Sequence, residues 1–172
     1  MSDIKRADAF LRQANADQAA SLASGIPEFV ARYLLQQACE KALKAFGYAK
    51  YTGRPGDGAQ IDAYFFNRHD PIAKISSAEV LPNGVHLLRR ELARFLAEFP
   101  ERVALERIDA TTPSTNMNAV SYRYPFMVDG AWTTPEEFTG WTPYQGGLGQ
   151  VRTATKKLLA RVHDEVSLVK RR

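Results

Sequence analysis

The stretch Ala31-Arg-Tyr-Leu-Leu-Gln-Gln-Ala-Cys-Glu-Lys-Ala-Leu-Lys-Ala-Phe46 decides the fold. Ala31, Leu35, Ala38, Ala42 and Phe46 recur at steps of three and four residues, so a helix gathers them on one apolar stripe. Gln36, Gln37, Glu40, Lys41 and Lys44 fill much of the remaining surface. Pro27 marks the start, because its fixed φ suits a first helical turn. Gly47 marks the expected stop, since glycine adopts the left-handed conformation that follows a last turn.

Working outward, residues from about Ser2 to Ser24 read as a preceding helix. Ile4, Ala7, Leu11, Ala14 and Leu22 mark one face, with Phe10 beside it and Gln18 interrupting the stripe. The break at Ser24-Gly25-Ile26-Pro27 is short, which predicts an antiparallel pair. After the central helix, Tyr48 to Asp70 is a loop rich in glycine and proline. It lacks the Gly-Lys-Ser/Thr of a P-loop, and no strand precedes it.

A third helix is predicted over Val85–Phe99. Val85, Leu88, Leu92, Phe95 and Phe99 keep the cleanest amphipathic spacing in the chain, and Pro100 ends it. Glu101 to Asp109 adds a turn or two. The stretch Tyr122 to Gly149 is irregular and aromatic, holding Trp132 and Trp141. Thr134-Pro-Glu-Glu137 reads as a capping box opening a short helix, kept short by Gly140, Gly146, Gly147 and Gly149. This segment suits a lid, an interface patch or a cover over one end of the core. The last helix runs from about Gln150 to Lys170, with Val151, Thr155, Leu158, Val162, Val166 and Val169 as its buried stripe. No segment alternates convincingly as a strand. The expectation is an all-α, antiparallel four-helix up-and-down bundle in one domain, residues 1–172, with long decorated loops at 48–84 and 111–149.

A chain of 172 residues is long enough for one domain with a core of its own. A net charge of +4 is compatible with an anionic partner and does not demand one. Cys39 is the sole cysteine, which excludes an intrachain disulfide and a cysteine zinc site. Its place among apolar neighbours predicts a small buried hydrophobe. No apolar run reaches membrane-spanning length, and the N-terminal residues lack the apolar core of a signal peptide. The expected setting is the cytoplasm, with no membrane contact.

Three motifs carry a resemblance. Gln36-Gln37-Ala38-x-Glu40-Lys41-Ala42-Leu43-Lys44 resembles the second helix of the HEPN family, small helical domains named for higher eukaryotes and prokaryotes nucleotide binding. His69-Asp70-Pro71 is similar to the family's His-Asp-Leu. Arg123-Tyr124-Pro125 is similar to the Arg-Tyr-Pro before its last helix. The resemblance spans most of the chain. It implies a homodimer and a role with RNA or nucleotides, or beside a nucleotidyltransferase-type partner protein in a toxin–antitoxin or defence system.

Many family members are metal-independent ribonucleases carrying arginine, four to six residues, then histidine. Cleavage of RNA by its own 2′-hydroxyl needs a base for that proton and a cation for the phosphate. Neither His69, His86 nor His163 has an arginine at that spacing. The nearest approach is Lys156 with His163, seven residues apart and so on one helical face, with Arg152 sharing it. Lysine supplies a point charge in place of a planar fork. The toxin motif with an acceptor tyrosine is also absent.

The candidate ligand-binding residues are therefore Arg68, His69, Arg123, Tyr124 and Arg152, with His163 and Lys156 as the candidate catalytic pair. No metal site and no cofactor are expected. The leading function is a binding module for RNA or nucleotide phosphate. The alternatives are a degenerate endoribonuclease around His163 and a structural adaptor docking through the Tyr122–Tyr144 segment.

Overall fold

The computed structural model describes residues 3–51, 58–59, 85–109, 125–140 and 146–171. They form α1 (Ile4–Ala20), α2 (Glu28–Tyr51), α3 (Val85–Ala97), α4 (Arg102–Asp109), β1 (Phe126–Val128), β2 (Ala131–Thr133) and α5 (Leu148–Lys170). The architecture is mainly helical. Two features exceed the expectation of four helices without strands: α4 is a separate helix, and β1 and β2 pair as a small antiparallel sheet.

The Asp3 carboxylate accepts a hydrogen bond from the Arg6 N–H at 3.1 Å, which opens α1 by satisfying one of its orphan donors. The helix stops at Ala20 rather than near Ser24. Here the Leu22 and Ala23 N–H groups turn back to the carbonyls of Ala19 and Ala20, and this tightened geometry cannot propagate an α-helix.

Helix α2 runs through Gly47 to Tyr51, so glycine is not its stop. A mid-helix glycine costs about 1 kcal/mol, and packing outweighs that here. Phe46 and Tyr48 on either side are both buried. Phe46 meets Phe95 of α3 with ring centroids 4.6 Å apart, and Tyr48 stacks on Phe10 of α1.

Burial extends right round α2. Ala31, Leu35, Ala38, Cys39, Ala42, Leu43 and Ala45 are wholly inaccessible. Gln36 and Glu40, expected on the surface, are buried too. The reason is that α1, α3, α4 and α5 all pack against this helix. Its charges are met locally. Lys41 pairs with Asp17 of α1, and Lys44 with Glu40 at 3.1 Å. Alanines at the contact positions let neighbouring helix axes come close.

Contacts fix the directions. Phe10 with Tyr48 and Asp17 with Lys41 run in opposite order, so α1 and α2 are antiparallel. Cys39 with Thr155 and Lys50 with Glu165 run in the same order, so α2 and α5 are parallel. Ser21 with Arg152 and Asp8 with Lys170 set α5 antiparallel to α1. Leu92, Phe95 and Phe99 are buried as the spacing predicts. The side chains of Val85 and Leu88 lie outside the described residues.

The hairpin comes from Asp129-Gly130. Both residues have positive φ, 49° and 83°, the backbone of a type I′ turn whose twist matches the flanking strands. Register pairs Phe126 with Thr133, Met127 with Trp132 and Val128 with Ala131. Just beyond it the Thr134–Glu137 capping box forms. The Glu137 N–H donates to the Thr134 hydroxyl, and the Thr134 N–H and hydroxyl donate to the Glu137 carboxylate. It closes a turn and opens no helix. Among the described residues no helix is long and apolar enough to cross a membrane.

Candidate functional site

Arg68, His69, Arg123 and Tyr124 lie outside the described residues. The other three candidates sit on α5, which presents them differently. Arg152 is half-buried, and its Nη2 donates to the Ser21 carbonyl at the end of α1, while its buried Nε has no partner. Lys156 is exposed. His163 is 67% exposed, with its Nδ1 3.8 Å from the Asp164 carboxylate, beyond hydrogen-bond reach. Helix α5 thus brings Arg152 to the α1 end and leaves Lys156 and His163 facing solvent. Among the described residues no cluster of three or more histidine, cysteine or acidic side chains could hold a metal ion.

A cleft of about 500 Å³ opens between the starts of α4 and α5. Pro100, Val103 and Ala104 form its apolar side, and Glu101 also lines it. Gly146, Gly149, Gln150, Val151 and Thr153 come from the start of α5. Gly147 is the N-cap residue and supplies no side-chain cap. The Gln150 and Val151 N–H groups return to the Gly147 carbonyl. The first-turn amides of Leu148 and Gly149 have no intrahelical acceptor, as at any helix start.

The glycines keep that backbone bare. A β-carbon on Gly147 or Gly149 would meet nothing within 4 Å, and neither has positive φ. Packing therefore does not require glycine at either place. Gly146 is different, with φ of 76°, a conformation that favours glycine.

Behind this turn lies Arg32 of α2, whose side chain is wholly buried. Its Nε and Nη2 donate to one Glu28 oxygen at 2.9 and 2.6 Å, and Nη2 also donates to the Gly146 carbonyl at 2.8 Å. Its Nη1 is buried without a partner. The guanidinium therefore ties the chain just before α5 to the centre of the fold. Charge balance follows from Glu28, one turn earlier on the same helix.

At the cleft wall, the Lys157 ammonium hydrogen-bonds Glu101 and holds its carboxyl below the usual glutamate range. The arrangement offers an apolar wall, bare amides at the positive end of a 23-residue helix, and a turn held from behind by the Glu28-paired Arg32. Such an end attracts phosphate or carboxylate. None of these residues was among the sequence candidates. The available signal was the run Gly146-Gly147-Leu148-Gly149, a glycine-rich opening to a long helix.

A second, smaller cleft of about 250 Å³ is lined by Phe46, Lys50, Glu91, Arg94, Phe95, Glu98, Arg161 and Glu165. Its charges largely compensate one another. Lys50 pairs with Glu165, and Arg161 with Glu98 at 2.9 Å. Lys50 also lies over Phe46 and Arg161 over Phe95. This network ties α3 to α2 and α5.

Comparison with protein-family models, with curated proteins and with solved structures gives no match to this chain.

Proposed function

We propose that the chain is a HEPN-like helical binding module. In this reading α1, α2, α3 and α5 make the family's antiparallel four-helix core within a single domain. The module works in the cytoplasm as a homodimer, alone or beside a nucleotidyltransferase-type partner. Its ligand is RNA or a nucleotide, held by phosphate.

The observation that carries the reading is the uncapped start of α5. Bare first-turn amides, Gly149 with open space beside it and the Arg32-anchored turn at Gly146 meet a cleft whose opposite wall is Pro100, Val103 and Ala104, with the neighbouring Glu101 carboxylate paired to Lys157. Phosphate suits the amides, and a base or ribose suits Pro100, Val103 and Ala104. Binding without cleavage is supported by α5 further along. His163 stands in solvent beyond hydrogen-bond reach of the Asp164 carboxylate, and Arg152 is engaged at Ser21.

The test is Gly147→Asp. The site has extended backbone and room for a side chain, so an aspartate caps α5 from within. Stability should rise by a few tenths to about 1 kcal/mol, while calorimetric binding of ATP or a short single-stranded RNA should be lost. Nucleotide affinity unchanged in the capped variant, or no affinity of the parent chain for either probe at low salt, would reject the phosphate reading.

A further inference from the structure

The β1–β2 hairpin presents an apolar pair to solvent. Trp132 is 69% exposed and Met127 42%. They are register partners, so both stand on the same face of the sheet. The opposite face is anchored, because Val128 packs against the buried cluster of Leu35 and Val151. The other large exposed apolar residues among those described, Leu22, Val103 and Leu168, have no such cross-strand partner.

The pair is also held rigidly. An Asp-Gly type I′ turn closes one end of the hairpin. The Thr134–Glu137 box fixes the chain where it leaves the other. A preformed tryptophan platform loses little entropy when something covers it, and tryptophan is over-represented among the anchors of protein interfaces.

Charge narrows the occupant. Residues 125–140 contain Asp129, Glu136 and Glu137 and no lysine, arginine or histidine, in a chain of net charge +4. All three carboxylates are exposed. The exposed carboxylates of this segment repel phosphate, so nucleic acid and anionic membranes are disfavoured here. They attract a protein surface bearing lysine or arginine around an apolar hollow.

We infer that the Met127–Trp132 face is a docking surface for a protein partner with a basic-rimmed apolar pocket. Val128 packs toward Val151 beside the cleft, whereas Met127 and Trp132 stand on the hairpin's other face and call for a partner of opposite charge to phosphate. Loss of nucleotide binding would therefore leave this inference standing, and the reverse also holds.

The experiment places a photoreactive benzoylphenylalanine at position 127 of the full chain, with position 160 on α5 as the exposed control. Cross-linking is done in an extract of the producing cells, and the joined peptides are sequenced. The expected product is one protein whose cross-linked segment carries lysine or arginine next to apolar residues. The purified pair should then bind, with Trp132→Ala weakening affinity at least about tenfold and Glu136→Lys several-fold, both variants melting at the parental temperature. Cross-links to a second copy of this chain, to RNA or to lipid would overturn the inference. So would yields no higher than at position 160, or affinity indifferent to Trp132→Ala.

Discussion

Helix α2 and the β1–β2 hairpin invert each other. The helix is rich in glutamine, glutamate and lysine, yet it is enclosed by four other helices and its Arg32, Gln36 and Glu40 are buried. The hairpin carries Met127 and Trp132, yet it leaves both in solvent. Residue polarity alone gives the wrong answer in both places. What decides burial is how many neighbours surround the element, and α2 has them on every side.

The largest effect should come from cutting α2. Phe46 is 2% exposed and packs on Phe95, so Phe46→Ala should cost about 3–5 kcal/mol in urea unfolding. Trp132 is the larger residue, and Trp132→Ala should move stability by less than about 0.5 kcal/mol. Equal losses from the two substitutions would break the comparison, because the hairpin would then belong to the core.

A smaller loss should follow from the charge hidden in α2. Glu28→Gln leaves the Arg32 guanidinium buried without its counter-ion. Removing one partner of a buried pair costs about 3–5 kcal/mol. Glu28 is 44% exposed, so water relieves part of the cost and the expected loss is about 2 kcal/mol. Because Arg32 also holds the Gly146 carbonyl, hydrogen exchange should accelerate first at the start of α5. Uniform acceleration across α1 and α5 would mean that Arg32 supports the whole fold rather than that turn.

Most of the helices were legible in the sequence because their apolar spacing is a local property. Leu92 and Phe95 of α3, Phe99 just beyond its end, and Val151, Leu158 and Val162 of α5 are buried where the period puts them. The end of α2 was not legible, since Gly47 favours a stop locally and only the packing of Phe46 and Tyr48 against other helices overrules it. The hairpin was legible and misread. Asp129-Gly130 is a strong two-residue turn signal, but strands of three residues are too short for alternation to register. The cleft was hidden for another reason. Its chemistry lies in backbone amides and a buried arginine, which no spacing of exposed cations or histidines marks. Of the three candidates that are described, Arg152 is engaged at Ser21 and Lys156 and His163 stand on solvent-facing turns of α5, and none of them lines the cleft.

The smallest effect is a local pH response, and it sharpens the contrast between a cooperative core and a hairpin held by its own bonds. Hydrogen bonds from the Thr134 backbone N–H first, and its hydroxyl second, hold the Glu137 carboxyl below the ordinary glutamate range. A carboxylate depressed in the folded state stabilises above its unfolded pKa, and that contribution disappears as pH falls through the folded value. The capping box should therefore be intact at neutral pH and open under acid. The Thr134 amide resonance should report this with a midpoint below that of a free glutamate. Glu137→Gln should abolish the titration while leaving Phe46 and Leu43 resonances unmoved. Should the core signals shift in step with Thr134, the hairpin and α2 would unfold as one unit, and the distinction drawn between them would fail.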